Sequence, residues 1–475
     1  MLFNTFQFAV FMATVVLCLK IFRNRRLQLS LLVLASYVFY YYSSGCLFVL
    51  LLFSSLLDFY CGRKIFESGA SGKRLFLVLS LAGNLGILGF FKYADFAIGI
   101  ANQLRGIFGI SPPVALLNIV LPVGISFFTF QTMSYTIDIY LGKLKPTESF
   151  LKFMLYVAFF PQLVAGPIVR AASFLPQLNI SRISILPQNL KLGLTYIGWG
   201  LVKKVVFADN ISPFVDGIFS DPTGLGSFPV MLGALGFGIQ IYCDFSAYSD
   251  IAIGCARIMG FRFPKNFDKP YFARSPTDFW RRWHISLSSW LKDYIYIPLG
   301  GNRKGAARSY ANVMVTMLLG GLWHGASWNF VIWGFYHGVL LAAHKLFSRA
   351  FPGHNGTRLT RVLSVFATQY FIFLGWLIFR VKNMDHLGYS VLRFIVPDFK
   401  MGPGAMALYV MSNLWPVCLI VMFMYLHFFS YKTRDIIRKI AGLSYIHWFL
   451  FIAFAALLLF LFAPSINTAF IYFQF

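Results

Sequence analysis

Apolar runs return along this chain at short intervals, and many approach the length that crosses a lipid bilayer. They fall at 2–22, 27–42, 46–61, 75–91, 119–140, 150–168, 190–208, 228–256, 309–325, 328–346, 362–380, 404–428 and 444–463. A crossing helix needs about 20 apolar residues. Backbone inside hydrocarbon must satisfy its own hydrogen bonds, and long continuous runs do so as helices. The pattern predicts an all-α polytopic membrane protein. Several runs are short or interrupted by Pro and Gly, so about 10 to 12 true crossings are expected. No internal repeat or low-complexity linker divides the sequence, and a single membrane domain over 1–475 is the simplest account.

Composition agrees. Of the 475 residues 58% are hydrophobic and 12% charged, with a mean hydropathy of +0.69. Soluble domains carry about twice that charged fraction. The net charge of +25 is almost all basic. Lys and Arg collect in cytoplasmic loops and meet anionic lipid there; alternatively they attract an anionic substrate such as CoA or a nucleotide. They are dispersed between apolar runs, which argues against nucleic-acid binding. The six cysteines (Cys18, Cys46, Cys61, Cys243, Cys255, Cys418) form no CxxC pair and indicate neither a disulfide framework nor a zinc site.

Run 2–22 is followed by Arg23, Arg25 and Arg26, so it reads as a first spanning helix held on the inside rather than a cleaved signal. Segment 63–74 is also basic, whereas 42–45 between them is uncharged. Three crossings then place the amino terminus outside. Basic stretches at 262–308, 345–361 and 432–439 alternate with weakly basic turns and put the carboxyl terminus outside as well. Parity fails to close between 141 and 228, so one segment there re-enters. The candidate is 150–168, where Pro161 and Pro167 interrupt helical hydrogen bonding.

Two stretches carry polar chemistry. In 275–294, Ser275 can cap a helix, Pro276 suits its first position and Asp278 completes a capping box. Trp280, Trp283, Leu287, Trp290, Leu291 and Tyr294 then recur at spacings of three and four, which predicts an amphipathic helix too polar to span. It lies flat on the cytoplasmic surface, or packs into the protein at a cavity mouth with His284 on its aromatic side. In 318–329, His324 ends an apolar run with no charged neighbour. Ionisable residues in membrane segments are costly and functional by default; the competing reading is an interfacial His bonded to a carbonyl. Gly320, Gly321 and Gly325 leave room for close approach, and Trp323 and Trp328 would wall the site.

Neutral imidazole can take a proton from a hydroxyl attacking a thioester, at a gain of ~10²–10⁴-fold. A second His can orient the first, or donate to the thioester oxygen. No GxSxG elbow appears, which favours direct attack over a covalent acyl-enzyme. His337, His344, His354, His386, His427 and His447 read as interfacial, and no histidine pair has zinc spacing with a carboxylate. Asp244 and Asp250 lie in an otherwise apolar run. Either they pair with cations of the amphipathic segment, or they sit solvated at an aqueous helix end.

The runs QIYCDFSAYSD (240–250), DFWRRWHISLS (278–288), DYIYIPLGGNR (293–303) and GLWHGASW (321–328) together resemble the membrane-bound O-acyltransferase (MBOAT) family, in particular its branch that acetylates alginate, peptidoglycan and cellulose. LPVGISFFTFQ (121–131) and FPQLVAGPI (160–168) agree, and the likeness is strongest over about 115–340. The resemblance implies a ring of transmembrane helices around a central tunnel, with re-entrant and amphipathic helices. It implies His324 as the catalytic histidine and His284 as the second, upstream one. Trp280, Trp283, Asp278, Trp323, Asn329, Tyr294, Arg303 and Asp244 are the residues offered for the tunnel and substrate. No bound cofactor or metal is implied. The donor would be acetyl-CoA from the cytoplasm, and the acetyl group would pass to a periplasmic acetyltransferase-like partner that modifies the polysaccharide, across a bacterial inner membrane. Two alternatives remain. One is D-alanyl transfer from a carrier protein to teichoic acid. The other is a transporter without acyl chemistry, whose marks would be inverted repeats and midplane charges, and neither is found.

Overall fold

The structure, a computed structural model, describes residues 1–164, 166–351, 357–398, 401–464 and 470–471. Its described elements are helices, with no strand among them. Six helical segments among the described residues are long and apolar enough to cross a membrane. The chain therefore folds as the all-α polytopic membrane protein that its apolar runs require. Two compact units can be distinguished: Met1–Ile197 with Ile251–Pro264, and Gly198–Asp250 with Lys265–Phe475.

The first unit contains α1 (Phe6–Ile21), α2 (Arg25–Ser44), α3 (Phe48–Glu67), α4 (Ala70–Ile107), α5 (Ile125–Tyr140), α6 (Phe150–Ala158), α7 (Phe160–Leu163), α8 (Ala171–Phe174) and most of α9 (Pro187–Val202). Gly45, at a φ of 57°, stops α2, and one 3-10 turn leads into α3. A left-handed residue cannot continue a helix, and glycine takes that conformation without a Cβ penalty. The core of this unit is α5, nearly every residue of which is buried. Segment 150–168 behaves as its prolines suggest: α6 has 9 residues, stops at Phe159, and restarts as the single turn α7 with Pro161 in its first positions. At about 1.5 Å per residue such pieces are too short to span. They are buried, which is where broken backbone is tolerated at membrane depth.

The second unit begins within α9, where the π-helical turn Lys203–Ala208 follows, then α10 (Asp209–Ser220) and the front of α11 (Ser227–Ile258). After Pro264 it continues with α12 (Pro276–Arg282), α13 (Ile285–Leu291), α14 (Ala306–His324), α15 (Trp328–Ala350), α16 (Arg358–Arg380), α17 (Met384–Ile395), α18 (Pro403–Ser412), α19 (Leu414–Thr433), α20 (Ile436–Ala441) and α21 (Tyr445–Leu461). Run 404–428 thus divides into α18 and α19.

The helix expected over 275–294 is not continuous. Ser275 does cap α12, its side chain accepting from the Asp278 amide. Asp278 turns back to the Arg274 amide at 3.1 Å and holds Arg282 at 2.8 Å. The helix then ends at Trp283, and His284 takes a φ of 41° before α13 begins. A surface helix is excluded too, because Trp283, His284, Leu287, Trp290 and Leu291 are all buried.

Candidate active site

His324 is the last residue of α14, and α15 begins four residues later. The two helices touch backbone to backbone. A Cβ on Gly321 would run into the Phe330 carbonyl, and one on Gly334 would meet the Met317 carbonyl. Small residues at such a crossing allow the close packing that membrane helices depend on. This crossing sets the walls around His324. Its ring lies 5.0 Å from Trp323, 5.0 Å from Trp333, 5.2 Å from Phe379 and 6.5 Å from Phe330, centroid to centroid. Asn329 fixes one wall from behind, its amide donating to the Phe379 carbonyl at 2.8 Å.

His284 packs on the same indole. Its ring is 5.6 Å from Trp323, 4.6 Å from Phe245 in a perpendicular contact, and 6.4 Å from Phe267. Trp323 is therefore shared by both imidazoles. The loop before α12 supplies the polar anchor. Asn266 donates to Ser249 Oγ at 3.0 Å, and its Oδ1 accepts from the Ser286 amide at 3.2 Å and the Ser286 hydroxyl at 2.9 Å. That same Oδ1 lies 3.3 Å from His284 Nδ1. Because the Ser286 N–H requires an oxygen at this position, Nδ1 is the protonated nitrogen and Nε2 carries the lone pair. Burial pushes the His284 pKa down to about 3, so the ring is neutral at physiological pH.

Behind this pair lies a buried ionic network. Lys204 bonds Asp209 at 2.8 Å and Asp244 at 2.9 Å, all three almost wholly enclosed. Lys203 bonds Asp250 at 2.7 Å and Ser246 at 2.7 Å. The cations that pair Asp244 and Asp250 come from the π-helical turn after α9, not from the amphipathic segment. Asp244 also accepts from the Ile471 amide at 2.8 Å, and Phe470 packs 5.8 Å from Phe245. Buried charges are tolerated when paired, and here two carboxylates share the one Lys204 ammonium.

A cavity of about 540 Å³ lies beside the histidines in the same unit, lined among others by Trp280, Arg281, Ser288, Lys292, Tyr296 and Met317. Lys345 stands behind its wall, 3.5 Å from the Tyr296 hydroxyl and 3.3 Å from Asn302. Neither histidine is among the lining residues. One aromatic layer intervenes: Trp280 packs 5.7 Å from Trp333, which packs on His324.

Of the residues singled out in the sequence, His284, His324, Trp283, Trp323 and Asn329 gather in and around this aromatic cluster, and Asp244 anchors the network behind it. Trp280 borders the cavity. Asp278 caps α12. Tyr294, 5.0 Å from Trp290, is not among the cavity's lining residues, and neither is Arg303. Trp328 is 42% exposed and does not wall the site; Trp333 takes that place. His337 and His427 are buried inside the protein rather than interfacial, and His354 lies outside the described residues. Asn266, Trp333, His337, Lys203, Lys204 and Asp209 were missed. The adjacent lysines at the end of an apolar run were a usable signal.

Comparison with known proteins adds the following. The family described as MBOAT, membrane-bound O-acyltransferase family, matches residues 143–387. A relative named probable alginate O-acetylase AlgI, from Pseudomonas aeruginosa, is 40% identical over 81% of this chain and 73% of its own length. A peptidoglycan O-acetyltransferase from Helicobacter pylori is 39% identical over 74% of this chain and 71% of its own length. A teichoic acid D-alanyltransferase from Bacillus subtilis is 27% identical over 57% of this chain and 71% of its own length.

Proposed function

The chain belongs to the membrane-bound O-acyltransferase family, and on that footing we propose that it moves an acetyl group from cytoplasmic acetyl-CoA across a bacterial inner membrane, for O-acetylation of an exopolysaccharide or cell-wall polymer through a periplasmic acetyltransferase-like partner. The observation that carries this reading is the pair of buried imidazoles on one indole, one aromatic layer away from a cavity edged by Arg281 and Lys292. Those cations suit the phosphates of a CoA nucleotide. The acetyl-pantetheine end reaches His324 once Trp280 and Trp333 yield.

The acceptor hydroxyl oxygen attacks the thioester carbon while His324 takes the hydroxyl proton. The carbon–sulfur bond then breaks, and the departing thiolate recovers that proton as free CoA. A positioned base of this kind contributes ~10²–10⁴-fold. His284, neutral and fixed in one tautomer, acts as a positioning residue that packs on the same Trp323 indole as His324. The bias of basic loops toward the cytoplasm supports a reading with this donor cavity on the cytoplasmic side and both termini outside.

The decisive experiment supplies labelled acetyl-CoA to the purified protein together with its partner. His324→Ala abolishes transfer while expression and fold are retained. Transfer at the wild-type rate by this variant refutes the mechanism. Label taken instead from a D-alanyl carrier protein moves the assignment to the teichoic-acid branch.

A further inference from the structure

The segment that leads into α14 runs Gly-Gly-Asn-Arg-Lys-Gly over 300–305, shortly after the single turn Lys292–Tyr296 that follows α13. Gly300 and Gly301 both take positive φ, 111° and 53°, which glycine adopts without a Cβ penalty. They fold the chain back on itself, and the Asn312 amide holds the Gly301 carbonyl at 3.1 Å. Asn302 is thereby brought against Tyr296, six residues earlier. Both residues line the cavity of about 540 Å³, and Asn302 is exposed.

Lys345 of α15 decides how Asn302 is turned. Its ammonium donates to Asn302 Oδ1 at 3.3 Å, to the Tyr296 hydroxyl at 3.5 Å and to the buried Ser309 hydroxyl. The Tyr296 hydroxyl donates to the same Oδ1. An ammonium has no lone pair, so the amide atom that faces it is the oxygen. Asn302 Oδ1 is thus committed twice. Nδ2, with two N–H groups and no partner among the described residues, is the polar group that Asn302 has left to offer the cavity. The acceptors of Lys345 are all neutral, so its charge is not cancelled within this cluster. Arg281 and Lys292 edge the same cavity. A donor amide beside three cations suits an anion with several acceptor oxygens.

We propose that Asn302 Nδ2 donates to a phosphate oxygen of the CoA nucleotide, with Lys345 as the positioning residue that holds the amide in this orientation. The inference rests on the acetyl-CoA reading and adds which side chain recognises the nucleotide end of that donor.

The test measures CoA binding by the full chain in nanodiscs of phosphatidylcholine, a lipid without net charge. The wild-type protein is expected to bind CoA, with adenosine 3′,5′-bisphosphate as a competitor and pantetheine weaker than it by about tenfold or more. Pantetheine that competes as well as the bisphosphate overturns the proposal whether or not any variant folds. Asn302→Asp keeps the side-chain shape but sets a carboxylate against the phosphate, and should raise the Kd for CoA about tenfold or more. Asn302→Ala and Lys345→Met should each raise it about three- to tenfold. Because Lys345 acts through Asn302, the double variant should bind no worse than the weaker single one. Losses that multiply in full would make Lys345 an independent charge and overturn its positioning role. Wild-type affinity in Asn302→Asp overturns this proposal alone; a wild-type protein that binds no CoA overturns the donor assignment with it.

Discussion

Asn266 decides which nitrogen of His284 carries the proton, because its Oδ1 is already committed to accepting from Ser286. Replacing it with Ala frees the ring to take the other tautomer without removing the imidazole. Asn266→Ala is expected to lower kcat roughly ten- to a hundredfold with little change in the KM for acetyl-CoA, short of the ~10²–10⁴-fold loss of a base itself. Steady-state kinetics that show a KM effect alone would reduce Asn266 to a packing residue. The same burial links His284 to stability. In the unfolded chain this group protonates below about 6.5, whereas in the fold it holds out until about 3. The unfolded state therefore binds the extra proton, and stability falls as pH drops from about 6.5 towards 3, by up to about 1.4 kcal/mol per pH unit. Between pH 7 and pH 5, the wild-type protein should lose more in Tm than His284→Gln; equal losses would show that the ring is not kept neutral. His324 was legible in the sequence because an ionisable residue stood alone at the end of an apolar run. Asn266 was not, since a single Asn in a loop carries no period and no charge, and its partner Ser249 lies 17 residues away.

Among the elements, the crossing of α14 and α15 is the part most exposed to a small change. Gly321 and Gly334 meet backbone, which cannot give way as a side-chain tip can. Gly321→Ala must push the Phe330 turn outward and with it a wall of the His324 pocket. Overpacking of this kind costs about 1–3 kcal/mol. The variant is expected to show a lower Tm and little or no acetyl transfer, and normal activity would mean that the site does not depend on this approach. Periodicity located α14 and α15 well, since both are long and apolar over most of their length. It failed at 275–294. A spacing of three and four fits one amphipathic helix or two short ones with a break, and nothing in that periodicity marks the left-handed residue at His284. The lysines of the π-helical turn were hidden for a related reason. Sequence shows that Lys203 and Lys204 interrupt an apolar run, but pairing with Asp250 and Asp244 is made across distant helices.

At the scale of the whole molecule, the distribution of charge makes a claim about orientation that the first unit can test. The amino-terminal ammonium donates to the Tyr42 carbonyl and the Ser43 hydroxyl, both at 3.3 Å. The chain start and the turn between α2 and α3 therefore share one end. Arg25, at the start of α2, reaches the Leu178 carbonyl at 2.7 Å, which marks the opposite end. Each of α2 and α3 has 20 residues, about 30 Å of helix, which matches a hydrocarbon core. The charge of Arg23–Arg26 and of 63–74 predicts that these segments lie inside and that the uncharged turn lies outside. Nature has left a probe there, because Cys46 is exposed in that turn. A membrane-impermeant maleimide should label Cys46 in intact spheroplasts. A cysteine placed by Ser68→Cys after α3, in a chain with Cys46 replaced, should react only once the membrane is opened. The reverse pattern would invert the first unit and overturn the orientation read from its basic segments.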